Sequence, residues 1–128
     1  MNIPEKFKYT SDHEYINLAD TYGFVGITDY AQSELGDIIY MDITVSVGDE
    51  VKQGDVLGSI EAVKTVSELK SPVSGKIIEI NTKINDNPSV VNEDPYNEGW
   101  MVKIQPSNMD EYNNLLDNVK YSELVGNN

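Results

Sequence analysis

The chain of 128 residues contains no cysteine. That excludes disulfides, thiol nucleophiles and cysteine-bound metals. Arginine is absent too, so all nine basic residues are lysine. Against them stand 22 acidic residues, for a formal net charge of -13. Nucleic-acid binding needs clustered positive charge and is therefore not expected. A single histidine, His13, leaves no His pair for a zinc site. There is no P-loop and no G-x-G-x-x-G. No apolar run is long enough to span a membrane, and "MNIPEKFKYTSDHEY" has neither signal-peptide nor transit-peptide character. The expectation is a soluble, cytoplasmic protein of one domain that folds without disulfides or metals. Its acidity is read first as a solubility feature, with steering toward basic patches on partner proteins as the functional alternative.

What is present reads mostly as strands. "YGFVGI" (22–27) is short, aromatic and β-branched. "IIYMDITV" (38–45) alternates, which predicts Ile39, Met41, Ile43 and Val45 on one face. "VKQGDVLGSI" (51–60) holds two short apolar segments around a Gly54-Asp55 turn. In "GKIIEINTKI" (75–84), Ile78, Ile80, Thr82 and Ile84 are predicted to share a side, and in "WMVKI" (100–104) so are Trp100, Val102 and Ile104. Helical signals are fewer. Thr28 caps a short helix through Leu35, with Asp29 in its first turn and Gly36 just past its end. Asn108 and Glu111 have the spacing of a capping box, followed by an apolar stripe of Met109, Tyr112, Leu115, Leu116 and Val119. A last turn or two runs from Val119 to Leu124. Residues 85–100 are long for a hairpin loop and form either a binding surface or a crossing connection. Together these elements predict one mainly β domain over 1–128. Its core is a small sandwich or barrel at about 15–105, with a short helix in the N-terminal half and a helical segment at about 108–125.

Catalytic groupings are scarce. Ser11, His13 and Glu14 are the residue types of a hydrolytic triad, but they crowd within four positions and nothing marks an oxyanion hole. An enzyme in its own right is not expected. "IEAVKTVSELKSP" (60–72) raises a different possibility through Lys64. A lysine makes a good tether, because amide formation removes its charge and lets an apolar cargo lie against the protein. Periodicity leaves a strand and a helical turn both open here, and on composition alone Lys64 is an ordinary surface charge.

Several segments, in order, resemble the glycine cleavage system H-protein family over nearly the whole chain. They are "YTSDHEY" (9–15), "VGITDYAQSELGDIIY" (25–40), "VGDEVKQGDVLGSIEAVKTVSELKSPVSGKIIEIN" (47–81), "NEDPYNEGW" (92–100) and the C-terminal helical stretch. The central segment is shared with lipoyl and biotinyl domains. Lipoyl domains of 2-oxo-acid dehydrogenases usually carry Asp before the lysine and Ala after it, and biotin carriers carry Met on both sides. Val63 and Thr65 match neither.

The resemblance implies a barrel-sandwich hybrid with Lys64 at a hairpin tip, lipoate covalently attached to it, and a monomeric carrier without catalytic activity. As partners it implies a pyridoxal-phosphate glycine decarboxylase (P-protein) that loads the aminomethyl group of glycine. A tetrahydrofolate-dependent aminomethyltransferase (T-protein) would unload it, dihydrolipoyl dehydrogenase (L-protein) would reoxidise the arm, and lipoylation enzymes would attach it. The alternative is a relay that supplies lipoyl or octanoyl groups to other lipoyl-dependent enzymes. Motif position further implies an arm-docking cleft lined by Ser11, His13, Glu14, Ser67 and Glu68, in which a carboxylate pairs with the amine of the loaded arm. The plainer reading of Glu14 and Glu68 is surface charge. The chain departs from the family pattern at Tyr15, usually Trp, at Thr65, often Ala, and at Glu68, often Asp. The lack of cysteine fits such cargo, since no thiol of this chain can capture a dithiol by exchange.

Overall fold

Short alternating strands cannot bury an apolar face alone, and here they pair into two antiparallel sheets. The computed structural model describes residues 1–126, so the last two residues of the predicted 1–128 domain lie outside the described residues. In chain order the elements are β1 (Lys8–Tyr9), β2 (Glu14–Ala19), β3 (Tyr22–Ile27), α1 (Asp29–Leu35), β4 (Ile38–Ile43), β5 (Glu50–Val51), β6 (Val56–Ala62), β7 (Val66–Lys70) and β8 (Gly75–Ile80), then α2 (Lys83–Asp86), α3 (Ser89–Glu93), β9 (Val102–Pro106), α4 (Met109–Asn113) and α5 (Asn118–Leu124). One sheet has the order β1-β2-β3-β9-β8-β5 and the other β4-β6-β7. The main core joins Ile16, Val25, Ile77 and Ile104 of the larger sheet to Met41, Leu57, Ile60 and Leu69 of the smaller. A second cluster packs α5 on β1 and β2 through the fully buried Tyr9, Tyr15 and Tyr121. Tyr9 and Tyr121 stack with centroids 4.6 Å apart.

Helix α1 has the predicted ends. Thr28 Oγ1 accepts from the Ala31 N–H at 3.1 Å, and Gly36, at φ 76, closes the helix with its N–H on Gln32. The 85–100 stretch joins the adjacent antiparallel strands β8 and β9 as a long connection that packs on β4 and α1, not as a crossing between strands. It carries α3, buries Val91 and ties to other elements through Asn92, which accepts from the Ile38 N–H at 3.0 Å and donates to the Gly36 carbonyl at 2.8 Å.

Four predictions about faces need correction. A bulge between Ile38 and Tyr40 shifts the alternation in β4, so Ile38 and Met41 point inward and Ile39 is exposed. A second bulge, between Ile77 and Glu79, buries Ile77 instead of setting Ile78 in line with Ile80. That strand ends at Ile80, and Ile84 is buried from α2. Trp100 precedes β9 and packs on Phe24 at 5.3 Å, so it does not continue the Val102–Ile104 face. Finally, the C-terminal stripe is split. Asp117 caps a new helix by accepting from the Lys120 N–H at 2.8 Å, which leaves Met109 and Val119 exposed on separate helices. The capping box does not close either, because the Glu111 carboxylate accepts from the Ser74 N–H at 2.7 Å.

Candidate functional site

Strands β6 and β7 form a hairpin with Glu61 opposite Val66, which leaves Val63, Lys64 and Thr65 as its tip. Two backbone bonds hold that tip: Ala62 N–H to the Thr65 carbonyl at 2.8 Å, and Val63 N–H to the Asp37 carbonyl at 3.1 Å. All three tip residues are exposed. Among the described residues, Lys64 has no side-chain hydrogen bond or ion pair. The side chain is thus free to be modified and to move.

Strand β7 carries the same hairpin to a cleft of about 260 Å³. Ser67 and Glu68 line one side of it, and His13 and Glu14 line another. The floor is apolar, from Ile27, Ala31 and Leu35. Four of the five residues predicted to surround an arm therefore meet in one cleft. Ser11 does not. It lines a neighbouring depression of about 360 Å³ beside Lys70 and Leu115. Asp12, which the sequence reading passed over, lines both. Tyr30 and Glu34 were also missed. They sit four apart on α1, a helix whose ends were legible, but no local signal says which strand that helix faces.

Glu14 is not a surface charge, being only 2% exposed. Its carboxylate accepts from the Thr10 hydroxyl at 2.5 Å and, more weakly, from the Lys70 N–H at 3.5 Å. Burial pushes its pKa above the ordinary carboxylate value, with the Thr10 hydrogen bond opposing. Glu68, by contrast, is exposed. An ion pair between Lys70 and Asp12 spans 4.0 Å between exposed side chains and adds little.

His13 has left-handed backbone geometry, at φ 72, a region sparsely populated by non-glycine residues and one in which strain often marks function. The turn is fixed on both sides: His13 N–H donates to the Thr10 carbonyl at 3.1 Å, and its own carbonyl accepts from the Thr28 N–H at 3.0 Å. The ring lies 4.8 Å from that of Tyr30, and Nδ1 is 2.9 Å from Tyr121 Oη. Burial lowers the histidine pKa, with Asp12 and Glu34 opposing. No triad forms, because Nδ1 engages Tyr121 while Glu14 engages Thr10. Among the described residues no acidic or His cluster has the arrangement to hold a metal ion, and no helix is long and apolar enough to cross a membrane.

An unpaired lysine at a hairpin tip, with an apolar-floored, acid-rimmed cleft further along the same hairpin, suits a tethered acyl cargo. The glycine cleavage H-protein family model matches residues 7–128. A glycine cleavage system H protein of Staphylococcus epidermidis is 47% identical over 126 residues, covering 98% of this chain and 99% of that one. Another, of Bacteroides fragilis, is 47% identical over 125 residues, with 98% of each chain covered. The crystal structure of a glycine cleavage system H protein from Mycobacterium marinum matches with a TM-score of 0.88 at 38% identity, covering 97% of this chain and 99% of that chain. The chain belongs to the glycine cleavage H-protein family, whose barrel-sandwich members are non-catalytic carriers with lipoate held covalently on a lysine.

Proposed function

We propose that Lys64 is the lipoylated residue and that the cleft receives the loaded arm. The carrier then moves the aminomethyl group of glycine from the P-protein to the T-protein and passes electrons to the L-protein, after lipoylation enzymes have attached the arm. The observation that carries this reading is the continuity of β7. Strand β7 leads from the free tip to the cleft, and at ~3.3 Å per extended residue Ser67 and Glu68 lie at most about 10 to 13 Å from Lys64, less where the turn shortens the path. When attached, lipoate supplies a strained five-membered disulfide that opens readily to a dithiol.

The chain's own residues do the rest. Ile27, Ala31 and Leu35 offer apolar contact to a hydrocarbon stem. Glu14, Glu68, Asp12 and Glu34 offer carboxylates to an ammonium end. An incoming cation would also offset the burial penalty that raises the Glu14 pKa, so docking favours the ionised form. Intact-mass measurement of protein from its native source tests the assignment. A lipoyl-sized increment is expected on the peptide containing Lys64, and none in Lys64→Ala. A biotin-sized increment, or a bare lysine where lipoylation enzymes are present, would refute it. Deleting the gene separates shuttle from relay: glycine cleavage alone should fail, whereas loss of lipoate from other proteins would favour the relay.

A further inference from the structure

We propose that Tyr121, on the C-terminal helix α5, sets the tautomer of His13 and so gives the cleft wall an N–H donor at Nε2. Three contacts in series carry this. The Ala31 N–H can only donate, and it donates to Thr28 Oγ1 at 3.1 Å. Thr28 is fully buried, and Tyr121 Oη, 2.7 Å away, is the acceptor the structure gives its hydroxyl proton. The Tyr121 hydroxyl keeps a proton of its own, and His13 Nδ1 at 2.9 Å receives it. In this direction every proton has an acceptor. With Nδ1 as donor, either Tyr121 donates to Thr28 and strands the Thr28 proton, or Thr28 also donates to Tyr121 and strands the Tyr121 proton; both residues are fully buried, so either state is costly. Nδ1 is therefore the bare nitrogen, and the neutral ring holds its proton on Nε2. Burial favours that neutral ring.

The consequence for the cleft rests on its reading as the arm's dock. Its carboxylates hold a cation but, when ionised, donate nothing. His13 adds a ring N–H donor to the hydroxyls of Ser67 and Tyr30, suited to an acceptor atom of the arm such as its amide oxygen or a sulfur. The opposite tautomer would present a lone pair at Nε2 and compete with the carboxylates for the ammonium. Tyr121 is thus a positioning residue, acting through His13.

Imidazole ¹⁵N NMR on the full chain tests this, first without cargo and at a pH well above the ordinary histidine value of 6.5. The native protein should show a protonated Nε2 and a bare Nδ1. Tyr121→Phe, which keeps the ring stacked on Tyr9 but lacks the hydroxyl, should show both tautomers. Thr28→Ser, which keeps its hydroxyl, should retain the Nε2–H form. A native Nδ1–H form, an unchanged tautomer in Tyr121→Phe, or a mixture in Thr28→Ser would overturn the proposal. The native measurement is then repeated on loaded, lipoylated protein, where the Nε2 resonance should shift. If the tautomers behave as stated and that resonance does not move, the docking reading fails while the control by Tyr121 stands.

Discussion

The hairpin tip at Val63–Thr65 and the wall at His13–Glu14 are built under opposite physical conditions. At the tip, side chains are exposed, two backbone bonds hold the loop, and the Lys64 side chain is unpaired among the described residues. At the wall, Glu14 is buried and bonded to Thr10, while His13 is pinned by backbone bonds on both sides and by Tyr121. A tether gains from freedom, since it must reach several partners. A dock gains from groups ordered beforehand, because less entropy is then lost when cargo arrives. Three substitutions probe that contrast.

The largest effect on stability belongs at the hairpin's base. Leu69 is fully buried on β7, so Leu69→Ala should cost about 2–5 kcal/mol in urea unfolding. A loss no larger than that of an exposed residue would mean the base is as loose as the tip. Glu14→Gln should act on the wall through pH. The folded-state pKa of Glu14 is raised, so the native state binds the proton more tightly than the unfolded chain. Its contribution is full below the ordinary value of 4.5 and is lost as pH rises through the raised pKa. Thermal unfolding between pH 4 and 7 should therefore fall less steeply with pH in Glu14→Gln than in the native protein. Identical slopes would place the Glu14 carboxyl in water. The smallest effect belongs at the tip: Lys64→Ala should change stability by no more than about 0.5 kcal/mol, although it removes the proposed modification site. A cost above ~1 kcal/mol would show that the lysine is part of the packing and not a free tether.

The same contrast explains how far the sequence could be read. Helix α1 was legible at both ends because Thr28 and Gly36 act on their own neighbours. Faces were less legible where a bulge intervened. One inserted residue at Ile38–Tyr40 turns Ile39 outward, and no composition rule marks it. Periodicity left the conformation at Lys64 open, and only the resemblance placed it on a hairpin. His13, Glu14, Ser67 and Glu68 came from motif position, but Ser11 fell one cleft away while its neighbour Asp12 fell inside. Tyr121 lies 108 positions from His13, a separation at which only tertiary structure brings side chains together.

The central claim is that an arm tethered at Lys64 comes to rest against the His13–Glu14 wall. Backbone amide NMR of lipoylated protein, before and after loading with the aminomethyl group, tests it most directly. The account predicts shifts at His13, Glu14, Tyr30 and Ser67 together, with Trp100, which packs on Phe24 and does not line the cleft, unmoved. Shifts confined to residues 63–66 would show the loaded arm in solvent and contradict it.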